Sequence, residues 1–199
     1  MQDLNELSEQ EQLDVICEHG YAIKFIANPS DKVKLAAVRS DKYAIRFLKN
    51  PSTKIQLAAV NKNAHAIKYI KNPSEEVQLA AVSKQGDAII NIDNPSKAVQ
   101  LAAVNQDSFA IRYIDIPAQG VKLAAVRKDY VAFYHIVNPS EEIQLEAVTQ
   151  NGLLIRFIDN PSEEVQLAAI EQNYTAIEYI KNPSKAVKLN PKIVLHYSC

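Results

Sequence analysis

The sequence predicts an all-α fold, an α-solenoid in which about eight 22-residue two-helix repeats stack as a superhelical array. The first observation behind this prediction is a run of eight prolines that recur every 22 residues, from Pro29 to Pro183. The second is the segment VQLAAV, or a variant of it, after these prolines, because alanine favours helices and is depleted in strands. The third is a shortage of turn residues, with only four glycines in 199 residues. A leucine-rich-repeat-like solenoid, with I-x-Y as a strand, covers the same period and is the alternative.

The repeats account for the whole chain, which is therefore predicted to be a single repeat domain, residues 1–199. The unit is N-P-S-x-x-V-x-L-A-A-V-x-x-N/D-x-x-A-I-x-Y/F-I-x, and its positions are numbered below from the Asn. Residues 1–27 form a degenerate N-terminal cap unit, residues 28–181 hold seven full repeats, and residues 182–199 form a broken C-terminal cap unit. Because helices this short are marginal alone, each unit is expected to be stabilised by its neighbours.

Local signals predict where the two helices of a repeat begin. Asn at position 1 is expected to be the N-cap of the first helix and Pro at position 2 its first residue, since a residue before proline avoids the α region. Acids in the first turn, such as Glu75 and Glu76, complement the helix dipole. Asn or Asp at position 14, such as Asn63, is expected to cap the second helix. The apolar stripe of that helix is placed at positions 17, 18, 20 and 21.

The units NPSEEVQLAAVSKQGDAIINID and NPSEEVQLAAIEQNYTAIEYIK resemble the short tandem repeats of a domain family of unknown function. That family occurs in bacterial, phage and large-virus proteins, and its repeats are similar in style to HEAT-type helical repeats. The resemblance covers nearly the whole chain. It implies a helical-repeat architecture and a binding role, and it implies no catalytic residue.

The sequence carries no catalytic, cofactor-binding or metal-binding motif, so we predict that the protein is not an enzyme and has no cofactor. His65 and His135 lie 70 residues apart and have no partner at metal-ligand spacing. Cys17 and Cys199 lie at opposite ends of the array and are expected not to pair. No segment approaches the roughly 18 apolar residues of a membrane helix, and the acidic start of the chain differs from a secretory signal. We expect a cytoplasmic protein without membrane contact.

Charge is unevenly distributed along the chain, although the formal net charge is only −1. Residues 1–20 hold six acids and no base, whereas residues 21–71 hold eleven Lys or Arg and two acids. Positions 15, 19 and 22 are expected to point away from the apolar stripe, and in three adjacent units they form a basic patch. Its residues are Lys24, Lys42, Arg46, Lys49, Lys68 and Lys71. The patch suits a phosphate backbone or an acidic protein surface, and the alternative is a solvated face balanced by residues 1–20.

The unit at 116–137 departs from the consensus and is the candidate site for a protein partner. Ile116 replaces the Asn, and His135 takes the aromatic slot. Exposed aromatic residues are typical interface anchors, and the candidate partner-binding residues are Tyr130, Tyr134, Val137 and Ile116. Sequence drift against an irregular neighbour is the alternative. In the next unit Glu146 occupies an Ala-Ala slot, and Glu146→Ala is expected to stabilise the array.

These patterns favour a non-enzymatic scaffold that binds a protein through its extended surface. An inhibitor or adaptor from a phage or bacterium, acting on a host protein, is the form that the family resemblance implies. Nucleic-acid or acidic-ligand binding through the basic units at 21–71 is the alternative, although stacking aromatics are limited there to Tyr21 and Tyr43. A designed array without a partner is a third interpretation, against which irregular residues such as Asn91 and Pro191 count.

Overall fold

The computed structural model describes residues 3–197, the last three of them by their backbone alone. This part of the chain is helical and contains no strand, so the predicted all-α repeat fold is confirmed and the strand-containing alternative is wrong. The α-helices α1 to α10 are Glu9–Glu18, Asp31–Ser40, Thr53–Lys62, Glu75–Lys84, Lys97–Gln106, Gln119–Lys128, Glu141–Gln150, Glu163–Gln172, Lys185–Lys188 and Pro191–Tyr197. The 3₁₀-helices η1 to η8 are Gly20–Phe25, Ala44–Phe47, Ala64–Tyr69, Gly86–Asn91, Ser108–Tyr113, Tyr130–His135, Gly152–Phe157 and Tyr174–Tyr179.

The first helix of a repeat begins one residue after the serine of Asn-Pro-Ser, so the prediction that Asn is the N-cap is wrong. Ser30 and Ser96 are N-caps whose Oγ accepts a hydrogen bond from the backbone N–H three residues on, at 3.3 Å. The Asn lies in the bend before the helix. Its φ lies between 45° and 52° at Asn50, Asn72, Asn94, Asn138 and Asn160. Asn tolerates this left-handed conformation better than most residues, and that tolerance outweighs the extended preference of a residue before proline.

The second helix of each repeat is a short 3₁₀-helix of four or six residues. Its predicted cap is confirmed, because the side chain at position 14 accepts a hydrogen bond from the backbone N–H two residues on. This cap is present at Asn63, Asp107, Asp129, Asn151 and Asn173. The cap satisfies a backbone N–H at the start of the helix, where no preceding helical carbonyl is available to accept its hydrogen bond.

The core of a repeat is formed by positions 6, 10, 11, 17, 18 and 21. In the repeat that begins at Asn72, these are Val77, Ala81, Val82, Ala88, Ile89 and Ile92, all buried. Position 20 was predicted to belong to this core, but Phe25, Phe157 and Tyr179 expose 58%, 51% and 42% of their surface there. The α-helical period behind the prediction does not apply to these helices. A 3₁₀-helix has three residues per turn, so positions 18 and 21 share the packed side and positions 19 and 22 point outward. Position 17 is buried as well, although position 20, three residues on, is not.

Position 15 was predicted to face solvent, and Lys42 and Tyr174 are exposed there, but in the repeats with a small residue it marks a close approach between repeats. A Cβ added to Gly20 would lie 2.7 Å from the carbonyl oxygen of Ala37 in the next repeat, and one added to Gly86 would lie 2.5 Å from that of Ala103. Ala64 and Ser108 are buried at the same position. Small residues at position 15 thus let the second helix lie against the first helix of the following repeat.

The chain divides into two compact parts of several repeats each. We call them unit 1, which ends at Ile114, and unit 2, which begins at Asp115. In unit 1, helices α1 to α5 pack side by side in sequence order, and so do η1 to η5. In unit 2, α6 to α9 pack in sequence order, and η7 packs on η8. Each unit is therefore a stack of helix pairs in which a repeat contacts its neighbours. The division lies between Ile114 and Asp115, at the start of the bend in which Ile116 replaces the usual Asn.

The last repeat departs from the regular pattern of two helices. In the broken last repeat the first helix is shortened to α9, and Pro191 begins α10 at the position that proline favours. Cys17 is exposed. Cys199 lies outside the described residues, so the expected absence of a disulfide between them stays a prediction.

Candidate functional site

All six cations of the predicted basic patch are exposed, and they lie on η1, η2 and η3 or in the segments beside them. Aromatic residues of the same helices accompany them, including Phe25, Phe47 and Tyr69, which the sequence assigned to the core. We call the combined surface the basic–aromatic face. It consists of Tyr21, Lys24, Phe25, Lys42, Tyr43, Arg46, Phe47, Lys49, Lys68, Tyr69 and Lys71.

Four of the six cations of this face, Lys24, Lys42, Arg46 and Lys68, lie over its aromatic rings. Lys24 Nζ lies 3.8 Å from the ring centre of Tyr21 and 4.5 Å from that of Phe25. The guanidinium carbon of Arg46 lies 4.5 Å from the ring centre of Phe47 and 5.7 Å from that of Tyr21. The rings of Tyr21 and Phe47 meet edge to face, with centres 5.2 Å apart. These contacts join η1 to η2 and restrict long side chains that would otherwise rotate freely.

The same arrangement continues along the face in simpler form. Lys42 Nζ lies 4.9 Å from the ring centre of Tyr43, and Lys68 Nζ lies 4.9 Å from that of Tyr69. Position 19 supplies a cation and position 20 an aromatic ring in three consecutive repeats of unit 1, at Lys24, Arg46 and Lys68. The pairing of a cation with an aromatic ring therefore recurs with the period of the repeat.

The pKa of the Tyr21 hydroxyl responds to the positive charge of this face. This hydroxyl accepts a hydrogen bond from Lys24 Nζ. That hydrogen bond lowers the pKa of the Tyr21 hydroxyl, with a further contribution from the charges of Lys24 and Arg46 and an opposing one from desolvation. An anionic oxygen is thus favoured at this point of the face.

No patch cation takes part in an ion pair among residues 3–194. In unit 1, Lys32 pairs with Glu9 at 3.4 Å, Lys34 with Asp31 at 3.1 Å, and His65 lies 3.3 Å from Asp87. The acidic residues 1–20 therefore contact a lysine outside the patch. The alternative of a face neutralised by residues 1–20 has no ion pair to support it.

Unit 2 exposes apolar residues where the sequence predicts them, with one exception. Tyr134 and Val137 expose 47% and 77% of their surface, and Ile116, in the bend before α6, exposes 88%. Tyr134 packs edge to face on the ring of Phe157, with centres 5.0 Å apart. We call Tyr134, Val137 and Phe157 the apolar patch. Phe157 was missed because position 20 was assigned to the core.

Tyr130 is the exception, because it is half-buried at position 15. It is less exposed than the outer-row placement implied, and its role as a partner-binding residue stays a prediction. His135, which was assigned to the aromatic core slot, is exposed. Glu146 has partners that the sequence did not reveal, since its carboxylate accepts hydrogen bonds from Arg127 Nε at 3.0 Å and from Gln150 Nε2 at 3.0 Å.

The described part of the chain offers no group of three His, Cys, Asp or Glu side chains that could hold a metal ion. None of its helices is long and apolar enough to cross a membrane. Its chemically distinctive features are thus a basic–aromatic face in unit 1 and an apolar patch in unit 2. Comparison of the chain with models of protein families, with curated proteins and with solved structures finds no match.

Proposed function

We propose that the protein is a non-enzymatic repeat scaffold that binds an acidic surface of another protein through its basic–aromatic face. The observation that carries this proposal is a set of six exposed cations, four of them over aromatic rings, that form no ion pair among residues 3–194. In the form that the family resemblance suggests, the scaffold is an inhibitor or adaptor from a phage or bacterium that acts on a cytoplasmic host protein.

The contacts within the face favour tight binding of carboxylates. Arg46 is held between η1 and η2 by the rings of Tyr21 and Phe47, so little of its freedom remains to be lost when a partner binds. Its planar guanidinium suits bidentate pairing with a carboxylate. Arginine and tyrosine are also the residues most often found as energetic centres of protein interfaces.

Nucleic-acid binding is the second candidate, because rings and cations alternate along the same face. Bases stack on open aromatic ring faces, however, and here Lys24 and Arg46 already lie over the rings of Tyr21, Phe25 and Phe47. An incoming carboxylate needs only the outward side of the same cations. Both candidates bind through charge and weaken with salt, so the identity of the captured partner, protein or nucleic acid, separates them.

We propose the apolar patch of unit 2 as a second contact for a protein partner. A tyrosine that anchors an interface contributes roughly 2 kcal/mol or more, so Tyr134→Ala with Val137→Asp is expected to weaken binding by about tenfold or more. Both side chains are exposed, and the melting temperature is expected to change little. If the double variant binds normally and melts early, the patch is structural.

Capture of partners by immobilised protein tests the proposal, with two charge-matched variants for comparison. The face variant carries Arg46→Glu and Lys68→Glu. The control carries Lys54→Glu and Lys84→Glu, which make the same charge change at exposed positions of α3 and α4 outside the face. Proteins bound to each are identified by mass spectrometry, and the affinity of each purified candidate is then measured by calorimetry.

The expected result is an acidic protein that the wild type and the control retain and the face variant loses. Its purified form should bind the face variant at least about tenfold more weakly than the control, as expected for loss of charged anchors. Capture of nucleic acid alone, or a protein that both variants lose equally, would contradict the proposal.

A further inference from the structure

A glutamine clamp closes the Asn-Pro-Ser bend in most repeats. Gln at position 7 donates a hydrogen bond from Nε2 to the carbonyl oxygen of the proline five residues earlier. The donors are Gln56, Gln78, Gln100, Gln144 and Gln166, at 2.8 to 3.1 Å. The clamp ties the start of the first helix to the bend that precedes it.

The first full repeat departs from this device, because Lys34 replaces the glutamine. Its ammonium forms an ion pair with Asp31 Oδ1 at 3.1 Å, and the lysine side chain is only 24% exposed. Lysine also replaces the glutamine at Lys122 and Lys188, so the replacement alone does not mark a site. Lys34 is distinguished by its surroundings, because it lines a groove together with two further lysines, Lys24 and Lys49.

The bend of this repeat borders a groove of about 430 Å³ within unit 1. Lys24, Lys34 and Lys49 line the groove, and among its described lining residues there is no carboxylate. Ile23, Phe47 and Leu48 supply an apolar wall. Charges beside an apolar wall are screened less than charges on an open surface, which favours an anion in a groove lined by three lysines.

The equivalent groove in unit 2 shows that this charge is a local feature and not a property of the repeat. That groove has a volume of about 370 Å³ and lies 132 residues later in the chain. Gln166 stands there in place of Lys34, and Asp159 in place of Ala27. Gln166 closes its clamp at 2.9 Å, so no third cation enters. The same backbone geometry thus exists with three cations and no acid in unit 1, and with two cations and one acid in unit 2.

We propose that the groove lined by Lys24, Lys34 and Lys49 receives an aspartate or glutamate side chain of the protein partner. This inference rests on the proposed function and deepens it, because it names the residue type that the scaffold recognises and the point at which it is held. Two of the three lysines, Lys24 and Lys49, belong to the basic–aromatic face, so the groove is continuous with that face. Asp31 competes with the incoming carboxylate for Lys34.

A hexaglutamate peptide with blocked ends serves as the probe, and its binding is followed by NMR in protein with labelled Ile and Leu methyl groups. The methyl signals of Ile23 and Leu48 are expected to shift as the peptide enters the groove. Lys34→Gln restores the residue of five sister repeats, so we expect the melting temperature to stay unchanged or to rise. The same substitution is expected to lower the affinity for the peptide by about fivefold. Asp31→Asn frees Lys34 and is expected to raise the affinity for the peptide by about two- to fivefold.

The matched control is Lys122→Gln, the same substitution at position 7 of a repeat in unit 2. It removes the same charge from a residue outside the groove, and the dissociation constant of the peptide is expected to stay unchanged. If Arg46→Glu weakens the peptide while Lys34→Gln and Lys122→Gln behave alike, the groove proposal is wrong and the proposed function survives. If the peptide does not bind, or if an oligothymidine shifts the same methyl signals at lower concentration, both proposals are overturned.

Discussion

At the residue scale, the contact between Lys24 and Tyr21 shows how a repeat array can hold a surface cation in place. The ammonium lies over the tyrosine ring and donates a hydrogen bond to its hydroxyl. Because this bond lowers the pKa of Tyr21, we expect Tyr21 to ionise at a lower pH than an ordinary tyrosine. Lys24→Gln should raise the pKa of Tyr21 toward the usual value for tyrosine, as followed by NMR of the ring signals. An unchanged Tyr21 titration in Lys24→Gln would show that the two side chains do not bond in solution.

Glu146 is the residue for which the structure reverses an expectation. It lies at 25% side-chain exposure and pairs with Arg127, so removing it no longer relieves an isolated carboxylate. Partly exposed ion pairs contribute about 0.2–1 kcal/mol, and alanine gains a few tenths in helix propensity. We therefore expect Glu146→Ala to change the free energy of unfolding by at most about 1 kcal/mol, toward lower stability. Arg127→Ala should have an effect of the same size, whereas a clearly raised melting temperature in Glu146→Ala would restore the sequence-based expectation.

At the element scale, the close approach of the second helix to the next repeat gives the clearest stability prediction. A Cβ at Gly152 would lie 2.3 Å from the carbonyl oxygen of Ala169, and the Gly152 N–H donates to Gln172 Oε1 at 2.7 Å. Gly152→Ala is expected to destabilise unit 2 by about 1–3 kcal/mol, because backbone has to move. Ser108→Ala is the control at the same repeat position, where a Cβ is already accommodated, and is expected to cost less than about 1 kcal/mol. Equal shifts of the urea midpoint for both variants would contradict this packing.

The first helix of each repeat could be predicted from sequence and the second only in part. VxLAAV supplies buried residues at helical spacing, and Val77, Ala81 and Val82 lie in the core as that spacing requires. The 3₁₀ period of the second helix leaves no separate mark in so short a segment, so Phe25 and Phe157 were placed inside although they are exposed. The N-cap was misplaced for a related reason, since Asn and Ser both favour caps and only the backbone shows which of them serves.

At the scale of the whole molecule, the repeats supply a regular backbone on which charge and aromatic residues vary freely. The basic patch could be predicted because cations cluster in residues 21–71 and outward positions recur with the period. The ring contacts of Lys24 and Arg46 could not, because they depend on side chains from η1 and η2 meeting across a repeat boundary. The lysine-lined groove escaped prediction for the same reason, since Lys24, Lys34 and Lys49 come from three separate segments.

Hydrogen exchange tests most directly the claim that the basic–aromatic face binds an acidic protein. It is measured for the protein alone and for its complex with the acidic protein that the wild type and the control capture. We expect slower exchange on binding at backbone amides of 20–25, 44–49 and 64–71, the segments that carry the basic–aromatic face, because a partner seated there excludes water from them. The outer surfaces of α2, α3 and α4 should exchange as in the free protein. Protection confined to those α-helices, or to unit 2 alone, would contradict the account.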